Sequence, residues 1–365
     1  MSDRLDVGGQ AVIEGVMMRG PRSMVIAVRK PDDTIVVKDS EWVPLDERWN
    51  FLKKPFLRGA VVMVEALING MQALSFSADV AIQAEEEAEA LEKAKAEGVA
   101  DLDAVREAKS GSSVMTQGAI AFSLISSLFL GAALFIYVPH VTASAVFALF
   151  GGVPLGDLLS YDAPVESPLF HTLVGAIKMS IFVAYILLIR RMPDIKRVFQ
   201  YHGAEHKSIH VYEAGEDLTV ANASKYPTFH PRCGTSFLVF VILISIGFFA
   251  AAFPLLQTFL IPETLTGWKL TLLQASIKVP LMVPIAGISY EFIKWAGKRK
   301  NEGASGAGWD LLVVPGRLMQ KLTTIEPDDK QLEVALVSLR RALEHEGALK
   351  DPDWTGVTFL AAAEA

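Results

Sequence analysis

At 365 residues the chain is long enough for two or three ordinary domains, but 51% hydrophobic residues, 21% charged residues and a mean hydropathy of +0.34 describe a membrane protein instead. The formal net charge of −7 offers no basic face, which excludes nucleic acid as an expected partner. A single cysteine excludes an internal disulfide and suits a reducing compartment or a metal site.

The first six residues, Met1 to Asp6, are polar and carry no apolar h-region, so no cleaved secretory signal is expected. Residues 1–55 read as a small β-rich cytoplasmic unit. Met24 to Arg29 and Thr34 to Lys38 are β-branched runs, and Lys30-Pro31-Asp32-Asp33 between them is a hairpin turn. Ahead of them, Gly8 to Pro21 mixes glycines with Glu14 and Arg19 in an apolar run. Either this is a tightly turned strand, or Glu14 or Arg19 lines a site that the glycines let the backbone approach. Residues 56–82 are apolar and helical but carry Arg58, Glu65, Asn69, Gln72 and Asp79, which predicts a helix dipping into the membrane rather than crossing it. Residues 83–113 change character. Ala84 to Ser113 holds nine acidic and four basic residues, which predicts a solvated helical hairpin on the cytoplasmic side.

Four spans are predicted within residues 114–296. Val114–Val138 and Ser236–Leu256 carry no charge, while Leu169–Ile189 and Leu270–Tyr290 carry one lysine each, Lys178 and Lys278. All reach the ~20 residues needed to cross a bilayer, and Pro280 and Pro284 are expected to kink the last. A lysine at mid-span costs ~3 kcal/mol, so these two are expected either to snorkel or sit neutral against packed helices, or to face a polar cavity open to the cytoplasm, with Glu65 as partner and Glu291 a poorer one. The loops Pro139–Ser167 and Phe253–Gly267 contain no lysine or arginine, whereas Arg190 to Arg232 contains seven. That bias places both termini and the intervening loop in the cytoplasm. Residues 297–365 form a tail whose Leu332, Ala335, Leu336, Leu339 and Leu343 recur at helical spacing. It is expected to pack on the N-terminal unit and to carry little chemistry. The fold class is a mainly α membrane protein: a four-helix transmembrane bundle plus a membrane-dipping helix, a β-rich N-terminal unit and an amphipathic helical tail.

The chemistry concentrates in the basic loop, residues 190–235. Three of the seven histidines, His202, His206 and His210, stand four apart, and with Glu213 they share one helical stripe, Glu205 at its edge. His202 to His206 spells H-x-x-E-H, the inverted zinc-hydrolase pattern. His230 and Cys233 follow as H-x-x-C. His140 and His171 are expected on the opposite side of the membrane and His345 in the tail, so none of these three is assigned a role.

The stretches Gly8 to Pro21, Tyr201 to Lys207, His230 to Phe237 and Thr323 to Asp329 together resemble the YqhQ-like bacterial membrane proteins, over nearly the whole chain and in order. That family has no assigned function and is described at most as predicted metal-dependent enzymes. The resemblance implies a bacterial inner-membrane protein with a metal on the histidine segment. It supplies neither substrate nor reaction, and the acidic segment Ala84–Ser113 is longer than the family leads one to expect.

From the residues themselves, zinc is the expected cation, with His202, His206, His230 and Cys233 as ligands and His210 and Glu213 as reserve ligands or partners of the ligands. Four bound ligands close the shell and make a structural staple. Three leave a place for water that Glu205 can deprotonate, making a hydrolase. Ordinary polar residues at an interface are the third alternative. Functionally the chain is therefore expected to be a metal-dependent hydrolase acting on a peptide, lipid headgroup or similar amphiphile. The alternatives are a non-enzymatic factor gripping a membrane-protein or peptide partner, and, without repeats to support it, a small transporter.

Overall fold

A computed structural model describes residues 5–55, 57–96, 117–154, 167–231, 233–262, 267–301, 307–350 and 354–360. The chain begins with four antiparallel strands in sequence order, β1 (Gly8–Val12), β2 (Gly15–Arg19), β3 (Ser23–Arg29) and β4 (Ile35–Glu41). After single helical turns at Leu45–Arg48 and Asn50–Lys53 come helix α1 (Leu57–Ala96), α2 (Gln117–Ala132) and α3 (Val138–Phe150). Next are α4 (Pro168–Ile189), α5 (Pro193–Ala214) and, past one turn at Val220–Ala223, α6 (Gly234–Ala251). The last helices are α7 (Phe253–Leu260), α8 (Gly267–Asn301), α9 (Ala307–Thr323) and α10 (Asp329–His345). Strand β5 (Val357–Phe359) then returns to pair in parallel with β4 and completes the sheet.

The strand runs read as continuously apolar because the sheet is buried on both faces. Val16, Met18, Val25, Ala27, Ile35 and Val37 point to one side and pack with Tyr201, Ala204, Ile209 and Val211 of α5 and with Leu332, Leu336 and Leu339 of α10. The alternate residues Val12, Met17, Met24, Ile26 and Val28 point to the other side, onto Ala73 and Val80 of α1. Each fully buried valine, leucine, isoleucine or methionine among them contributes about 1.5–3 kcal/mol, the alanines less. The sheet thus clamps the histidine-bearing helix.

Five helical stretches are long and apolar enough to cross a membrane: Leu57–Ala90, Ile125–Phe150, Pro168–Ile189, Gly234–Ala251 and Ser276–Ala296. The protein is mostly helical and multi-pass. Two details differ from the sequence reading. The first uncharged span does not stop at Val138. A π-helical turn, Ala133–Tyr137, joins α2 to α3, and helix continues to Phe150 through what was expected to be loop. Pro139 looks like a terminator, yet the wider turn ahead of it accommodates the missing N–H and the bulk of its ring. Likewise the stretch after Ala251 carries the short helix α7 where loop was expected. Pro280 and Pro284 lie inside α8. The acidic segment continues α1 as helix as far as Ala96. The rest of the expected hairpin lies outside the described residues.

Candidate metal centre

Helix α5 starts at Pro193, a residue suited to a first helical position because its missing N–H has no intrahelical partner there. One side of α5 joins the core under the sheet. The other, carrying His202, His206, His210 and Glu213, meets the irregular residues 228–231, Cys233 and the segment 323–326 that leads from α9 to α10.

These two segments set the imidazoles. His202 donates Nδ1–H to the Thr323 carbonyl at 2.9 Å, which leaves the Nε2 lone pair facing Cys233 Sγ at 3.2 Å. The thiol donates to that nitrogen, and the Thr235 hydroxyl, 3.0 Å from the sulfur, donates to it in turn. His206 donates Nδ1–H to the Thr228 carbonyl. Its Nε2 has no hydrogen-bond partner among the described residues, although the residue is only 1% exposed. Burial, more than any neighbour, holds the His206 pKa below its ordinary value, so the ring is neutral and its lone pair is available. The donor atoms of His202, His206 and Cys233 lie within 4.8 Å of one another. A buried imine nitrogen without a partner is costly, and two imidazoles beside a thiol form a donor set that a zinc-like cation satisfies.

Glu205 completes the group. Its Oε2 is 4.0 Å from His202 Nε2 and 3.9 Å from His206 Nε2. Burial pushes its carboxyl above the usual range, while His202, His230 and the Gly9 backbone N–H pull the other way. Gly9 is a glycine for a steric reason. A Cβ there would stand 2.8 Å from Glu205 Cγ and 2.7 Å from the Met17 carbonyl oxygen. Gly203, mid-helix, has the same role on the opposite flank, because a Cβ would collide with the Ile325 carbonyl oxygen. Lys207, also buried, donates to the Ser224 carbonyl at 3.1 Å and pairs with Glu326.

The four expected ligands fall into two groups. Cys233 is placed with His202 and His206, whereas His230 joins His210 and Glu213. Glu14 and Arg19 are engaged elsewhere. Glu14, at a positive φ of 51° in the β1–β2 turn, forms a two-pronged ion pair with Arg197 and accepts from Tyr201 OH at 3.3 Å. Burial first, and the adjacent Glu14 carboxylate second, raise the Tyr201 pKa. Arg19 lies 3.6 Å from Glu65, which also accepts from the Leu45 N–H at 2.6 Å. Glu65 is therefore used at the sheet and is not the counter-ion expected for the lysines. Lys278 sits instead over the ring of Phe253, 4.4 Å from its centroid, and Lys178 is half-buried in α4.

Sequence reasoning missed Gly9, Gln320, Thr323 and Glu326. The tail was expected to carry little chemistry, yet it orients one imidazole and neutralises a buried lysine. A carbonyl acting as orienting acceptor has no side-chain signature, so only the Thr323 to Pro327 string hinted at it.

Fold and cluster together define a multi-pass membrane protein that presents a histidine–cysteine group on a helix docked beneath a small sheet. The chain belongs to the family described as protein of unknown function (DUF1385), whose profile matches residues 54–345. The uncharacterized protein YqhQ of Bacillus subtilis (strain 168) is 34% identical over 342 residues, covering 93% of this chain and 92% of the relative. No solved structure matches the chain.

Proposed function

We propose that this protein is a membrane-embedded, metal-dependent hydrolase acting at the cytoplasmic face on a peptide, lipid headgroup or similar amphiphile. The observation that carries the proposal is the convergence of His202 Nε2, His206 Nε2 and Cys233 Sγ with the Glu205 carboxyl beside them. Three protein donors and an adjacent carboxyl are the arrangement of a catalytic rather than a closed structural zinc site. A bound cation supplies a Lewis acid and makes water acidic near neutral pH. The protein's own residues do the rest. The Thr323 and Thr228 carbonyls hold both Nε2 lone pairs in place, and Glu205, its carboxyl raised by burial, accepts a proton at Oε2 and returns it to the leaving group. The Gly9 N–H steadies the carboxylate form that exists before the first transfer and is restored by the second.

A second reading, a structural metal in a membrane-protein assembly factor, is favoured by the low exposure of His206 (1%), Glu205 (5%) and Cys233 (7%). One experiment separates the two. Glu205→Gln protein is purified, its metal measured by elemental analysis, and the variant tested for complementation of a deletion strain. Metal retained with function lost supports the hydrolase; metal retained with function intact removes the proton-transfer role.

Four crossings with both termini and the site in the cytoplasm are the topology we infer, and parity supports it. Segments 8–41, 193–214 and 329–345 share one core, so the chain between any two must cross an even number of times. Between the second and third stand two candidate spans, in α6 and α8. Between the first and second stand three, so one of them stays on the near side. That one is α1. Glu65, Asn69, Ala73 and Val80 face the sheet side, while Val64, Leu67, Ile68, Met71 and Leu74 form an exposed apolar stripe, the pattern of a helix lying in the interface. The seven basic residues between Arg190 and Arg232 then favour a cytoplasmic side for the shared core.

A further inference from the structure

The histidine stripe continues past the three-donor cluster. One turn along α5, His210 and Glu213 face His230, and one donor atom from each lies within 4.8 Å of the other two. Two of the three are fixed by partners of their own, His210 through its ring and His230 through its backbone. His210 donates Nε2–H to the Phe229 carbonyl at 2.7 Å, and its ring stacks on Tyr226, centroids 5.7 Å apart and planes 10° from parallel. His230 is 3% exposed and fixed from behind by the buried Gln320. That side chain accepts from the His230 N–H at 2.9 Å and donates to the His230 carbonyl at 2.8 Å. His230 Nε2 is 3.3 Å from the Glu213 carboxylate. A plain histidine–carboxylate hydrogen bond would account for that last contact but not for the arrival of His210 at the same point.

The two groups adjoin without sharing a side chain. Ring centroids step along the helix at 4.5 Å from His202 to His206, 5.7 Å from His206 to His230 and 4.7 Å from His230 to His210. We propose that His210, Glu213 and His230 bind a second divalent cation, so that the two groups form a dinuclear centre along one face of α5. Two nitrogens and a carboxylate without a thiolate make the second site the harder of the two, suited to manganese, iron(II) or zinc. The Cys233 site is the softer. Paired cations suit a reaction in which charge develops on both an attacking and a leaving oxygen, so the inference narrows the proposed substrate to an ester, with phosphoesters favoured. This narrowing rests on the hydrolase reading; the second site itself does not.

The test uses full-length protein in detergent, stripped with chelator and titrated with cobalt(II) while absorbance and bound metal are followed. Wild type is expected to bind two equivalents, one of them with a sulfur-to-cobalt charge-transfer band. Glu213→Gln, a change of similar shape at a side chain 36% exposed, is expected to bind one equivalent and keep the band. Cys233→Ser is expected to lose the band and keep the equivalent that Glu213→Gln removes. A single equivalent in wild type that Glu213→Gln leaves intact overturns the second site, as do two equivalents in both proteins. A band-free equivalent in wild type that Glu213→Gln abolishes supports the second site and removes the thiolate site instead, so the two ideas fail separately.

Discussion

At the scale of single residues, the site is made by close approaches that only glycine permits. A glycine at an exposed mid-helix position is normally improved by alanine, by about 1 kcal/mol. Gly203 is predicted to behave oppositely. Gly203→Ala forces the Ile325 carbonyl away from α5 and with it the Thr323 carbonyl that orients His202, so it is expected to lower stability by about 1–3 kcal/mol. Thermal unfolding in detergent reads the sign directly, and a raised melting temperature would refute the argument. The residue scale also shows what was legible beforehand. The four-residue spacing of His202, His206 and His210 announces a shared face, because helical geometry alone determines it. Which of His230 and Cys233 would meet which histidine was not legible. The chain between residues 214 and 230 reverses direction, and spacing does not encode the register in which it returns.

At the scale of elements, α10 is attached to the sheet by chemistry as well as by its leucines. Asp39 of β4 accepts from Arg341 Nε at 2.8 Å and from His345 Nε2 at 2.7 Å. Burial pushes the Asp39 carboxyl up, but the hydrogen bonds from His345 and Arg341 outweigh it and its pKa falls below the ordinary 3.8. A carboxyl depressed on folding contributes stability that is full above its unfolded value and is lost as pH falls through its lower folded value. Melting curves between about pH 6 and about pH 3 are therefore expected to show an acid-side loss that is shallower in Asp39→Asn. Equal slopes would show that the α10–β4 link carries none of the acid sensitivity. Helix α1 shows why element type outruns element placement in a sequence reading. Its apolar residues serve two surfaces, the sheet through Ala73 and Val80 and the exterior through Leu67, Ile68 and Met71. Composition adds these together, so an interfacial helix and a span read alike. The polar residues Glu65 and Asn69 were the legible sign that one side meets protein. The return of β5 to the sheet had no sign at all, since three residues of strand are too short for a period.

At the scale of the whole molecule, the inferred topology makes a labelling prediction. In intact cells a membrane-impermeant maleimide is expected to modify Phe150→Cys, at an exposed helix end on the far side, and to reach Glu216→Cys only after permeabilisation. The reverse pattern would place the histidine cluster outside and remove the cytoplasmic reading with it. The sheet carries a further consequence. Its first strand delivers the Gly9 amide to Glu205, and its fifth is drawn from residues 357–359, while the carbonyl that sets His202 belongs to Thr323. The centre is thus assembled from opposite ends of the polypeptide and stays incomplete while the ribosome is still translating. Under the proposed metal reading, ion loading would follow translation: nascent chains arrested before residue 320 are expected to be inserted in the bilayer yet retain no cation, whereas released chains retain it.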